Sequence, residues 1–391
     1  SALASLSGGS IVAGCTDFLA QRNGKVWHAD TILSLTEMQE LKQIELAGDS
    51  LAVGAVCVHS QVAQSPLVRQ YFPALAMACS QVGCAQIRNR GTLGGSIGTS
   101  SPAGDVYPPL LALCGAAEVM NSRGAVRTIP ARELVLGKGK TALASDEAIL
   151  RFLLPLPAEH EISAFGKIGE RHQVTISKIN LAVSAVVENG CIQSARAALG
   201  AVAPHAYLSE DAAAFLGGKP LTAETGAALG DLLSSEVERV IAGRGSMPYK
   251  REAVRGLAQD VFARLIALAQ EHHTKEKLLL DDLVRATKLS DYLLSLVNDV
   301  LDLSRMETGD LNFKFADYSL IECCQSALDS VCHRIPEGVE LTFTPDSIPV
   351  MLHTDKLRLQ QILTNLLTNS GKFTQEGEIN LSYKVDEDGK Q

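Results

Sequence analysis

Two stretches near the start of the chain carry more small residues than ordinary turns need. One reads AGCTDFLAQRNG over residues 13–24, and the other reads IRNRGTLGGSIGTSSPAGDVYPP over Ile87–Pro109. Glycines in such a run let backbone amides approach a ligand without a colliding Cβ, and successive amides of this kind hold anions such as phosphate. Neither stretch has the G-x-G-x-x-G spacing of a dinucleotide fold. The GKGKT at 137–141 lacks the earlier glycine of a P-loop, because position 134 is leucine. A third candidate lies far downstream in RLQQILTNLLTNSGKFT, where Asn365 and Asn369 stand four apart on one helical face and Lys372 follows the second. Amide oxygens can complete a magnesium shell and a lysine can meet phosphate oxygens, which is the chemistry of an ATP–magnesium site. A solvated polar helix face explains the same three residues.

The elements that must position these residues fall into a mixed pattern. Short apolar runs such as SIVAG, SLAVGAV and AILRFLLPL alternate with turns and helix-like pieces such as LVRQYFPALAMACSQV, so residues 1–157 read as an α+β domain. From Ser163 the run INLAVSAVVENGCIQSARAALGAV predicts two strands around a turn at Glu188–Gly190, followed by alanine-rich helices. A second domain is therefore expected over residues 163–270. It closes on a helix with Val254, Leu257, Val261, Leu265 and Leu268 on one face. The polar residues 271–282 read as a linker. Beyond them Leu289, Leu293, Leu296, Val300 and Leu303 alternate by four and three, which predicts a long seam-bearing helix over 283–308. Strand-like and helix-like pieces resume over 309–391.

The totals exclude several classes of function. A net charge of −9 argues against a nucleic-acid surface. None of the nine cysteines forms a C-x-x-C pair, so no iron–sulfur cluster or structural zinc is expected from this chain alone, and reduced thiols are the simpler reading. No apolar run is long enough to span a bilayer, and SALASLSGGS lacks the basic start of a signal peptide, so the cytoplasm is the expected compartment. The chain starts without Met and ends just after a strand-like run, so either end reads as a cut.

The two glycine-bearing loops occur together, in the order AGCTDF, then IRNRGTLGGSIG, then SSPAGD. On these motifs the first 270 residues resemble the FAD-binding medium subunit of the molybdenum hydroxylases, the xanthine dehydrogenase and carbon monoxide dehydrogenase family. The resemblance implies a two-lobed FAD module of the vanillyl-alcohol-oxidase type, followed by a small α+β domain that covers the flavin. It implies that Ala13, Gly14, Cys15, Thr16, Asp17 and Phe18, with Thr92, Gly94, Gly95 and Ser96, wrap the pyrophosphate and ribityl part of FAD. It also implies that Asp105 lies toward the adenosine side and Lys167 near the flavin, where a loop-capping acid and a solvated lysine are the plainer readings. Cys15 stands where the family has glycine, and Ser96 where it has asparagine or aspartate. Electrons would arrive from an iron–sulfur partner after a molybdopterin subunit has hydroxylated its substrate, and leave to an acceptor such as NAD. Electron transfer through a flavin demands no general acid, base or nucleophile, so no catalytic residue and no metal ligand are named.

The last part resembles a sensor histidine kinase. LLSLVNDVLDLSRMETGDL matches the second helix of the dimerisation hairpin, and TDKLRLQQILTNLLTNSGKFT matches the first box of the ATP-binding domain, a partial α/β-sandwich. That resemblance implies ATP and magnesium at Asn365, Asn369 and Lys372, and a homodimer through residues 283–306. His272 and His273 lack a phosphoacceptor context, and no D-x-G-x-G box follows, so an inactive kinase fragment is expected. The alternative is a flavin redox sensor that drives a kinase-like module.

Overall fold

The computed structural model describes residues 9–22, 31–171, 174–271, 314–336, 338–346 and 348–385, with 274, 286, 287, 290 and 293. It divides into two compact units, Ser1–Asp281 and Asp282–Gln391. The first unit opens with a short parallel pair, β1 (Ser10–Val12) and β2 (Ile32–Ser34). Next comes an antiparallel sheet of β3 (Ile44–Ala47), β4 (Ser50–Gly54), β5 (Ala116–Asn121), β6 (Val126–Pro130) and β9 (Glu147–Pro155). Their spatial order is β3-β4-β9-β5-β6, and a small hairpin pairs β7 (Val135–Gly137) with β8 (Lys140–Thr141).

Between β4 and β5 the chain forms six short helices. These are α1 (His59–Gln64), α2 (Pro66–Tyr71), α3 (Pro73–Gln81), α4 (Ala85–Arg88), α5 (Leu93–Thr99) and α6 (Tyr107–Ala112), and α7 (Ala131–Leu134) follows β6. Pro66 and Pro73 open their helices, where the missing N–H costs nothing, and the stretch read as one helical piece is broken at Phe72. Leu51, Val53, Phe72, Leu75, Leu110, Phe152 and Leu154 form the buried core of this lobe.

The second lobe is an antiparallel sheet, β10 (Glu161–Ile168), β11 (Ile179–Glu188), β12 (Cys191–Gly200) and β13 (Tyr207–Leu208). Asn189 and Gly190 both have positive φ, the pair of left-handed residues that a tight two-residue hairpin turn requires. Three helices follow, α8 (Glu210–Leu216), α9 (Ala223–Val240) and α10 (residues 247–271). This sheet is buried on both faces, which explains why β11 is largely apolar, with Asn180 and Ser184 as buried polar positions within it. Leu181, Val183, Ala197 and Leu199 pack into the core with α9 and α10, whereas the alternate Phe165, Ala182 and Ala198 belong to the core of the first lobe. The two lobes thus share a sheet. On the outer side Val254, Leu257, Val261 and Leu265 of α10 are buried, with Leu268 packed beside them.

In the second unit β14 (Ala316–Ser319) pairs antiparallel with β16 (Met351–Thr354), and β15 (Val339–Thr344) pairs parallel with β17 (Gly377–Ser382). Ala327, Leu328 and Val331 of α11 (Leu320–Val331) and Leu367 of α12 (Lys356–Phe373) form a buried cluster with Ile379 of β17. The Asp355 carboxylate starts α12 by accepting from the amides of Leu357 and Arg358, and its other oxygen accepts from Lys314 N–H. His272, His273 and nearly all of the predicted helix over 283–308 lie outside the described residues. Among the described residues no helix is long and apolar enough to cross a membrane.

Candidate functional site

A cleft of about 840 Å³ opens in the first unit, and residues 13–18 and 94–96 both line it. The two loops meet through Gly14. A Cβ there would fall 1.8 Å from the Arg90 carbonyl oxygen, so backbone packs on backbone and only glycine permits the approach. The second loop is in turn registered against the segment after β4. Val58 and Thr92 form an isolated bridge, Leu93 N–H donates to Cys57 O, and Gly94 N–H donates to Ala55 O. Thr92 caps α5, its hydroxyl accepting from Gly95 N–H at 3.0 Å. Arg88 turns inward and donates to the carbonyls of Val82 and Gly83, fixing the approach to α4.

Beside the cleft, the Asp105 carboxylate joins the lobes. One oxygen accepts from Lys167 Nζ at 2.6 Å, and the other accepts from the Ser177 hydroxyl at 2.5 Å and Asn180 Nδ2 at 3.2 Å. Lys167 Nζ also donates to Gln81 O at 2.7 Å and Thr175 O at 3.3 Å. Both side chains are buried, at 7% and 8% exposure, so Lys167 is no solvated lysine. Neither partner stands alone: the acid belongs to the second loop and the base to β10.

Sequence reasoning missed two contributors. Val174 and Ile176, in the loop between β10 and β11, line the cleft with exposed apolar side chains, and Val174 is held at φ 53°. The only signal was the VTI triplet within an otherwise polar GERHQVTISK. The second contributor is His59 at the start of α1. It is buried, its Nε2 lies 2.9 Å from Ser96 Oγ, and its Nδ1 has no partner among the described residues. Burial pushes its imidazole down to about 4, and the Arg88 charge acts the same way, so the ring is neutral.

Of the predicted site residues, Ala13, Gly14, Cys15, Thr16, Asp17, Phe18, Gly94, Gly95, Ser96 and Asp105 face the cleft. Thr92 and Lys167 do not line it; Thr92 holds α5 and Lys167 holds Asp105. Asn365, Asn369 and Lys372 are exposed on α12. Cys15 adopts φ 60°, a left-handed conformation, which accounts for glycine being the expected residue there. Its thiol donates to Ala13 O at 3.3 Å.

The wall fits a flavin dinucleotide: the interlocked small-residue loops leave room beside the open face of Gly98, where an added Cβ would meet nothing within 4 Å. A two-lobed α+β unit with this double loop at its cleft defines a flavin-binding module. Residues 1–157 match the FAD binding domain in molybdopterin dehydrogenase, and residues 164–265 match the CO dehydrogenase flavoprotein C-terminal domain. The nicotinate dehydrogenase FAD-subunit of Eubacterium barkeri is 31% identical over 261 residues, which cover 66% of this chain and 88% of that one. The solved carbon monoxide dehydrogenase from Hydrogenophaga pseudoflava, a form lacking the Mo-pyranopterin moiety of its cofactor, aligns with a TM-score of 0.62 at 26% identity. That alignment covers 68% of this chain and 92% of that chain. The chain therefore belongs to the family of FAD-binding subunits of the molybdenum hydroxylase-type dehydrogenases, and its cofactor is FAD. A stretch of 110 residues, 27% of the chain, is 36% identical to hybrid signal transduction histidine kinase B of Dictyostelium discoideum, of which it covers 6%.

Two outcomes follow from this geometry. Cys15→Gly relieves left-handed strain and should raise the unfolding free energy by about 1 kcal/mol in denaturant titration, whereas a destabilised variant would contradict the strain. His59 has its folded pKa below the unfolded value of 6.5, so its contribution is complete above pH 6.5 and lost as the pH falls toward about 4. Over that window the wild-type chain should lose on the order of 3 kcal/mol more stability than a His59→Gln variant. Equal losses in the two proteins would show that the buried imidazole is not the group responsible.

Proposed function

We propose that the chain is the electron-transfer subunit of a molybdenum hydroxylase complex. Electrons released when a molybdopterin-binding partner hydroxylates its substrate would arrive through an iron–sulfur partner and leave to an acceptor such as NAD. The observation that carries this reading is the single cleft lined by both glycine-bearing loops and by the loop of Val174 and Ile176 from the second lobe. FAD, when bound, supplies the redox chemistry. The work left to the chain is binding, orientation and exclusion of water.

The pyrophosphate and ribityl portions would be received on backbone amides of the first loop and on the Ser96 hydroxyl, the amides of Gly94, Gly95 and Ser96 being engaged in holding α5. The exposed apolar side chains of Val174 and Ile176 offer a surface for an aromatic ring system. Asp105 and Lys167 satisfy one another and would hold the second loop against β10, so the cleft keeps its shape before the cofactor enters.

We read the second unit as a kinase-like passenger without phosphotransfer activity. Supporting this, Asn365, Asn369 and Lys372 are all exposed on α12, and His272 and His273 stand in a sequence without a phosphoacceptor context. The purified chain should carry a flavin absorption spectrum and release about one FAD per chain on denaturation, an expectation that follows from one nucleotide-sized cleft. A chain that stays colourless after FAD is added would sink the electron-transfer reading. Phosphohistidine formed from radiolabelled ATP would replace the passenger reading with a redox sensor coupled to a kinase.

A further inference from the structure

We infer that His59 is a positioning residue, whose Nε2–H fixes the Ser96 hydroxyl as a hydrogen-bond donor toward the FAD pyrophosphate. The inference rests on the flavin reading above and adds to it a residue from outside both glycine-bearing loops. His59 lies at the first position of α1, which places it under the second loop, and its backbone N–H donates to Gly91 O at 3.0 Å. The ring fills the space at that glycine, since a Cβ on Gly91 would come 3.2 Å from His59 Cδ2. Backbone pairing of 55–58 with 92–94 fixes the height of the ring relative to α5. Its Nε2 then meets Ser96 Oγ at 2.9 Å, and Ser96 itself lines the cleft.

The tautomer decides what Ser96 can offer. A neutral imidazole carries one ring proton. If that proton sat on Nδ1, a buried N–H would be left without an acceptor, because Nδ1 has no partner among the described residues. Nε2 would then accept the Ser96 hydroxyl proton and leave only oxygen lone pairs facing the cleft, which repel a phosphate. With the proton on Nε2, the ring donates to Ser96 Oγ and the hydroxyl proton is free to point into the cleft. Nδ1 then keeps only a bare lone pair, the less costly buried orphan. The short serine, standing where a longer amide or acid is the family's usual residue, thereby gains a fixed direction from a buried neighbour.

The test is a double-mutant cycle on the full chain, with FAD affinity read by quenching of flavin fluorescence and folding read by thermal melting. His59→Leu should weaken FAD about tenfold, the worth of one hydrogen bond to a charged group. It should have little effect in the Ser96→Ala background, and His59→Gln, which keeps a donor, should restore most of the affinity. Equal losses with and without Ser96, or no loss at all, would overturn the positioning role while leaving the flavin reading intact. A wild-type chain that binds no FAD would overturn both. Nitrogen NMR of His59 in the wild-type chain needs no variant to fold: an Nε2–H tautomer is expected, and an Nδ1–H tautomer would overturn the inference.

Discussion

The buried pair of Asp105 and Lys167 is the interaction on which the cleft depends. It links the end of the second glycine-bearing loop to β10, and the same ammonium reaches Gln81 at the end of α3 and Thr175 in the loop from the second lobe. Losing one partner would strand a desolvated charge, a cost of about 3–5 kcal/mol when no water can replace it. The remaining hydrogen bonds on the carboxylate, from Ser177 and Asn180, come from the second lobe as well. The pair therefore gathers the second loop, α3, β10, β11 and the loop between those strands around one edge of the cleft, and the shared sheet beneath them supplies apolar burial.

The other edge depends on backbone contact. Gly14 lies against the carbonyl of Arg90, so the first loop cannot move without the second. This contact explains why the two small-residue stretches occur together, and why a chain of ordinary charge and composition spends so many glycines in so short a space. The departures from the family pattern fall at this same edge. Cys15 tolerates a left-handed backbone at a cost of strain, and Ser96 is met from below by His59.

Much of the architecture was legible in the sequence because it rests on local signals. The left-handed turn at Asn189–Gly190, the apolar face of α10 and the strands SIVAG, SLAVGAV and AILRFLLPL all announce themselves within a dozen residues. The glycine-bearing loops were legible because close backbone approach demands a residue type. What could not be read are the long-range meetings. Lys167 finds Asp105 across 62 positions, and His59 finds Ser96 across 37. Each is a polar residue whose partner is chosen by tertiary register, and each reads as a surface residue until the sheet and helices are assembled. The exposed triad on α12 shows the reverse case, in which helical spacing alone was legible and the surroundings that would give it chemistry were not.

The central claim is that residues 13–18, 94–96 and 174–176 form one FAD site. Hydrogen exchange of the backbone amides, followed by mass spectrometry with and without FAD, tests it most directly. All three segments should gain protection together on adding FAD, because each lines the same cleft. Protection confined to one loop, or appearing only elsewhere in the chain, would contradict the account.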